Sequence, residues 1–229
     1  PPAPPKADNQ SLDAIVARRA ALLAAYQNED YAARYRRTVE AVRRAERERA
    51  AAGETLTEAV ARNLFKLMAI KDEYEVARLY ADGAFAQALR DAFDGDLKVS
   101  FHLAPPLLAR KDPVTGEARK MRFGPWMMKV FRALAALRGL RGTPLDVFGY
   151  SAERRAERAL LADYETLCAE LALGLTPDNR DAAVALASLP DSIRGFGHVK
   201  ARAMAKAEQE RRRLLAEWRA PPPLREAAE

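Results

Sequence analysis

Residues 97–123 run LKVSFHLAPPLLARKDPVTGEARKMRF, and they decide the fold because their two ends carry an apolar period of two in a chain otherwise patterned for helix. Leu97, Val99, Phe101 and Leu103 alternate with Lys98, Ser100 and His102, which predicts a strand over 97–103. Arg119-Lys-Met-Arg-Phe123 is its expected partner. Pro105-Pro106 and the turn DPVTGE lie between them and make the connection long and polar. A two-stranded ribbon is marginal alone, so the hairpin is expected to lie against helices.

The flanking sequence supplies those helices. Ser11 is placed to cap a helix over 12–26, and Asp30 a second over 31–52 that ends at Gly53. The charged second half of that helix, VEAVRRAERERAAA, suits either a solvated face or a nucleic-acid face. Thr57-Glu58 opens a third helix whose period through Val60, Leu64, Leu67 and Tyr74 carries it to Tyr80, before a break at Asp82-Gly83. A short helix follows over 84–93. Beyond the hairpin, Trp126 begins a helix to Leu137, and GLRGTPLDVFGY is a loop. Ser151 caps a helix to Leu173, Thr176-Pro177 starts another to Ser188, and a last one covers 199–218. The expected fold class is mainly α, a multi-helix domain with a small β-hairpin. Residues 1–10 (PPAPPKADNQ) are predicted to be a Pro-rich interdomain linker, 11–219 a helical domain, and 220–229 a disordered tail.

Composition narrows the function. The 229 residues include 48 Ala, and 31% are charged, which fits an Ala-rich helical protein and excludes collagen and full disorder. No run approaches the roughly 18 apolar residues of a membrane span, and the N-terminus has no secretion-signal pattern, so a cytoplasmic protein with no membrane partner is expected. With one cysteine, Cys168, and two histidines, His102 and His198, the chain cannot furnish a Cys/His zinc site or the four thiolates of an iron–sulfur cluster. It also lacks Gly-x-Gly-x-x-Gly, a phosphate loop, His-Glu-x-x-His and a Gly-x-Ser-x-Gly elbow. No catalytic residue, resident cofactor or metal ligand is assigned.

Three local patterns exceed this background. Counted at about 100° per residue from Val60, Lys71, Glu75 and Arg78 share the sector of the apolar stripe, with spacings of four and three that let the carboxylate bridge both cations. Such a trio serves a structural network, an interface or a ligand contact. In the second, Ile193-Arg-Gly-Phe-Gly-His-Val-Lys200, the residues Arg194, Gly195, Gly197, His198 and Lys200 stand at a helix start and make a candidate anion pocket or an ordinary interhelix turn. The third is charge. The net +6 is concentrated in 97–142, which holds ten basic and two acidic residues, while 54–96 and 143–197 each hold five basic and nine acidic. Within it Arg110, Lys111, Arg119, Lys120 and Arg122 cluster on the predicted hairpin as a candidate docking surface. Nucleic acid, an acidic protein face and a phosphorylated cofactor are the ligands such a patch takes, and a solvated hairpin is the alternative to all three.

The strings LFKLMAIKDEYEVARLYADGAF (64–85), FHLAPPLLARKDPVTGEARKMRFGPWM (101–127), LRGTPLDVFGYSAERR (140–155) and LPDSIRGFGHVK (189–200) together carry a resemblance. From about Ser11 to about Lys206 the chain resembles the C-terminal region of fused bacterial indolepyruvate ferredoxin oxidoreductases, within the 2-oxoacid:ferredoxin oxidoreductase group. The resemblance implies a parent that uses thiamine diphosphate with Mg to oxidise aryl 2-oxoacids to acyl-CoA, with CoA as a substrate and electrons passing through iron–sulfur clusters to ferredoxin. It places those motifs in preceding domains. This chain is then a noncatalytic accessory domain whose partners are the other domains of its parent and ferredoxin, and the Pro-rich start fits an interdomain linker. The alternative is a basic helical module for nucleic acid, which counterion release would reveal as steeply salt-dependent binding; the resemblance argues against it.

Overall fold

A computed structural model describes residues 11–50, 53–93, 95, 98–104, 119–195 and 197–220. The linker expected over 1–10 and the tail expected over 220–229 lie, Ala220 apart, outside the described residues. In chain order the helices are α1 (Leu12–Tyr26), α2 (Glu29–Arg49), α3 (Thr55–Met68), α4 (Glu73–Ala81), α5 (Ala84–Ala92), α6 (Met127–Ala136), α7 (Ala152–Gly174), α8 (Arg180–Ser188) and α9 (Gly197–Trp218). Strands β1 (Phe101–Leu103) and β2 (Met121–Phe123) form one antiparallel pair, so the mainly α class with a small hairpin holds. The stretch 11–219 divides into two compact units: one takes the chain up to Ala69 and again from Arg155, the other Ile70–Arg154.

Side-chain caps set several helix boundaries. Ser11 Oγ accepts from the Ala14 amide as expected, but α2 is capped by Asn28 Oδ1, which accepts from Tyr31 N at 2.9 Å, and not by Asp30, which lies inside the first turn. The single helix expected over 57–80 is two. The Tyr31 hydroxyl donates to the Met68 carbonyl at 3.1 Å and ends α3, and Asp72 Oδ1 accepts from Glu75 N at 2.8 Å and starts α4. An aspartate inside an apolar period thus acts as a strong N-cap, which resets the helical phase. The expected Thr176 cap is present: Asn179 N donates to Thr176 Oγ1 (3.3 Å) and Thr176 N to Asn179 Oδ1 (2.8 Å), a reciprocal box that closes one turn over 177–179, after which the regular helix α8 begins at Arg180.

The first unit packs its helices around Leu23, Tyr35, Val42, Leu56, Val60, Leu64, Met68, Leu171 and Leu186, all fully buried. Burying one such side chain contributes about 1.5–3 kcal/mol. Tyr35 reaches the core with its hydroxyl satisfied, donating to the Ala61 carbonyl at 2.9 Å. The unit also buries a carboxylate completely. Glu46, near the end of α2, accepts from Leu56 N (2.9 Å), Thr57 N (2.8 Å) and Thr57 Oγ1 (2.7 Å), and so caps α3 from a neighbouring helix.

The second unit has a small aromatic core. Tyr80 of α4 stacks on Phe131 of α6 with centroids 4.9 Å apart, and Phe85 of α5 and Phe101 of β1 meet it edge-on at 4.9 and 5.3 Å. The ladder pairs Phe101 with Phe123, His102 with Arg122 and Leu103 with Met121. Side chains alternate across a strand, so Phe101 turns to the helices while His102 and Arg122 share the other face. The hairpin therefore rests on α4 and α6, as its marginal stability requires. It is shorter than the period suggests, with three ladder pairs, and residues 98–100 are irregular.

Candidate functional site

Positive charge gathers on the second unit. Arg119, Lys120 and Arg122 on the hairpin and Lys129 and Arg132 on α6 are exposed, whereas Arg110 and Lys111 lie outside the described residues. From 119 to 145 the sequence holds seven cations and no carboxylate. Trp126, just before α6, sets its ring edge against Phe123 of β2 at 5.9 Å and joins the hairpin to the helix. Helix α6 buries Met127, Phe131 and Ala135 and turns Lys129, Arg132 and Ala133 outward, as a 3.6-residue period dictates.

A buried polar cluster shapes the loop that follows. Asp72 caps α4 and also receives Arg141 in a two-point pair, Nε to Oδ2 at 2.5 Å and Nη2 to Oδ1 at 2.8 Å. Asp146, also buried, accepts from Gly142 N (2.9 Å), Gly149 N (3.0 Å) and the Tyr74 hydroxyl (3.3 Å), which draws residues 142–149 into a closed turn. Burial, reinforced by the Asp146 carboxylate, pushes the Tyr74 phenol up to about 12. The Arg141 guanidinium lies 5.3 Å from the centre of the Tyr74 ring. Burial also raises the Glu73 carboxyl, against the pull of Arg154 at 3.7 Å.

This arrangement corrects the expected trio. Lys71 lies in the break before α4 and is exposed, because the phase counted from Val60 ends with α3. Glu75 and Arg78 do pair, through two contacts of 2.8 Å, and are half-buried instead of enclosed; Asp82 stands 3.8 Å from Arg78. The enclosed pair is Asp72 with Arg141, 69 residues apart, which no local spacing reveals. The available signal was an Asp between Gly142 and Gly149 in a Gly/Pro-punctuated loop, the composition of a side-chain-closed turn.

The turn before α9 lies in the first unit. Arg194 Nε donates to the Asp191 carbonyl at 3.1 Å, and Lys200 pairs with Glu157 of α7. Lys66 of α3, which the sequence did not bring to this place, donates to the Pro190 carbonyl at 2.6 Å. Burial lowers the Lys66 ammonium, with Arg194 and Lys200 acting the same way and Asp191 opposing them. Gly195 has φ +93°, and a Cβ there would meet Val199 Cγ1 at 2.8 Å, so the glycine is required. Gly197 opens α9; the His198 side chain is not among those described. These cations tie the turn to α3 and α7.

A cleft of about 410 Å³ runs along α7, α8 and α9, lined mainly by apolar side chains such as Leu160, Leu167, Leu186 and Met204, with Glu208 and Arg211 among its polar residues. The Tyr164 hydroxyl in its wall donates to the Ala187 carbonyl at 2.7 Å. Cys168 is buried, and that burial raises its thiol, which removes thiolate character. Among the described residues no cluster of His, Cys, Asp or Glu has the makings of a metal site, and no helix is long and apolar enough to cross a membrane.

Fold and site together define a mainly helical domain of two compact units, one bearing a basic surface. The chain belongs to the family described as "Family of unknown function (DUF6537)", whose model matches residues 12–213. Among curated proteins and among solved structures, none matches the chain.

Proposed function

We propose that this chain is the noncatalytic C-terminal accessory domain of a thiamine-diphosphate-dependent indolepyruvate or 2-oxoacid:ferredoxin oxidoreductase, and that it acts in assembly and docking. The sequence strings quoted above support the parent, and one structural observation supports the role. Five exposed cations, Arg119, Lys120, Arg122, Lys129 and Arg132, sit on a hairpin and helix that contribute no carboxylate over 119–145. A one-signed surface on a rigid support steers and orients an acidic partner. In this reading thiamine diphosphate, Mg and the iron–sulfur clusters belong to the parent's other domains, and the acidic partner is either one of those domains or ferredoxin.

The test replaces Arg110, Lys111, Arg119 and Lys120 with Ser in the full-length oxidoreductase. Ferredoxin reduction is followed against ionic strength, and assembly by sedimentation. The expected result is slower association at low salt with a flattened salt dependence, or loss of assembly, in a protein that still folds, since exposed charges add little stability. Unchanged assembly and unchanged salt dependence together would refute the role. Tight duplex-DNA binding by the unmodified chain, weakening steeply with salt, would favour the nucleic-acid alternative.

A further inference from the structure

Helix α6, with the residue that flanks it at each end, carries a second apolar face. Trp126 (57% exposed), Val130 (37%), Ala133 and Leu137 (47%) follow one another at steps of four, three and four along it, and at about 100° per residue they fall within a sector of about 60°. The face that packs inward is formed by Met127, Phe131 and Ala135, so the outer stripe is surplus to the core of this unit. Lys129 borders the stripe on one side, and Arg132 lies further round on that same side. Trp126 continues it to Phe123, next to Arg122 and the exposed Met121 on β2.

We infer that this face is a docking site for an acidic amphipathic helix of a partner protein, with apolar residues at i, i+4, i+7 and i+11 and carboxylates beside them. The inference rests on the docking role proposed above and adds the shape and chemistry of the partner. Apolar residues spaced along one helix match the spacing of a second helix laid against it. The bordering charge selects among such helices. A second copy of the chain brings cations against cations across a self-complementary contact, whereas an acidic helix brings a carboxylate to Lys129 and Arg132. Trp126 supplies the large aromatic anchor on which interfaces of this kind concentrate their energy.

The test uses the 229-residue chain and a synthetic peptide of about 18 residues, five helical turns, with four leucines at the stated spacing and glutamates alongside. A twin peptide carries lysine in place of each glutamate. Binding is read by anisotropy of the labelled peptide and by the emission of Trp126, with Trp126→Phe identifying the signal. The acidic peptide should bind at least about tenfold tighter than its twin and shift the Trp126 emission to the blue. Val130→Ser with Leu137→Ser should speed dissociation, and Lys129→Ser with Arg132→Ser should slow association and flatten its salt dependence. Unchanged far-UV spectra establish that these exposed substitutions leave the fold intact. Equal binding of the two peptides, or binding indifferent to Val130 and Leu137, overturns the inference. So does burial of Trp126 by self-association or by phosphatidylglycerol vesicles in a protein that ignores the acidic peptide. None of these results requires the oxidoreductase, so the peptide assay fails or succeeds independently of the parent assignment.

Discussion

Replacing Glu46 with Ala is expected to be the most damaging single change to the first unit. Its carboxylate is 0% exposed and accepts three hydrogen bonds from the start of α3, with Arg180 Nη2 3.5 Å away. Glu54, at the usual capping position, makes no side-chain cap and instead pairs with Arg43 and Arg47. Without Glu46 the Leu56 and Thr57 amides lose their acceptor inside the protein, and each stranded donor costs about 1–3 kcal/mol. Arg180 also loses a buried partner. The total, about 3–5 kcal/mol, is the usual range for breaking a buried charge interaction, and at about 2–4 °C per kcal/mol it lowers the melting temperature by about 6–20 °C. Glu46→Gln keeps the volume and one acceptor, so it should lose about half as much. The assay is urea unfolding in a Trp126→Phe background, where the buried Trp218 reports the first unit alone. Glu54→Ala, at the rim, should lose under about 1 kcal/mol. A loss below about 1 kcal/mol for Glu46→Ala, with an unchanged denaturant slope, would mean that water or another acceptor satisfies the α3 amides and that the cap is not what holds this joint.

In the second unit, Asp72→Ala removes both the α4 cap and the partner of Arg141 and should lose about 3–5 kcal/mol, read from Trp126 fluorescence; Asp72→Asn keeps the cap and should lose less. Glu75→Ala should lose only about 1 kcal/mol by the same measurement, because its pair with Arg78 keeps some contact with solvent and Asp82 stays within reach. Gly195→Ala forces a methyl into Val199 at a positive φ and should destabilise the first unit by about 1–3 kcal/mol in thermal melts. Glu73, whose folded-state carboxyl is raised by burial, holds its proton more tightly folded than unfolded. It should therefore add stability to the second unit as pH falls from above its raised value towards the ordinary 4.5, a gain that Glu73→Gln abolishes in the difference between the two pH–stability curves. Asp13 and Glu54, lowered by Arg43, act with the opposite sign on the first unit, so the two units are followed separately.

The sequence by itself determined what rests on neighbours along the chain. Most helix positions, the Ser11 cap, the alternation that becomes β1 and β2, and the concentration of cations in the middle segment follow from residues within one or two turns of each other, the range that local propensity and periodicity report. The tertiary structure decided whatever joins distant residues. Tyr31 ends α3 from 37 residues away, Glu46 caps it from the neighbouring helix, and Arg141 finds Asp72 across 69 residues. Each is a polar group that burial obliges to find a partner, and which partner is in reach depends on how the helices pack, a fact that spacing along the chain does not encode. Lys71 left its expected network for a local reason: the Asp72 side chain caps Glu75 three residues on, and this short-range signal outweighed the apolar period, broke the helix and reset its phase. Packing also explains why the basic hairpin was legible while the outer stripe of α6 was not. Charge is counted residue by residue, but whether Trp126, Val130 and Leu137 face a core or the solvent is settled only when the inner face of α6 is filled by Met127, Phe131 and Ala135.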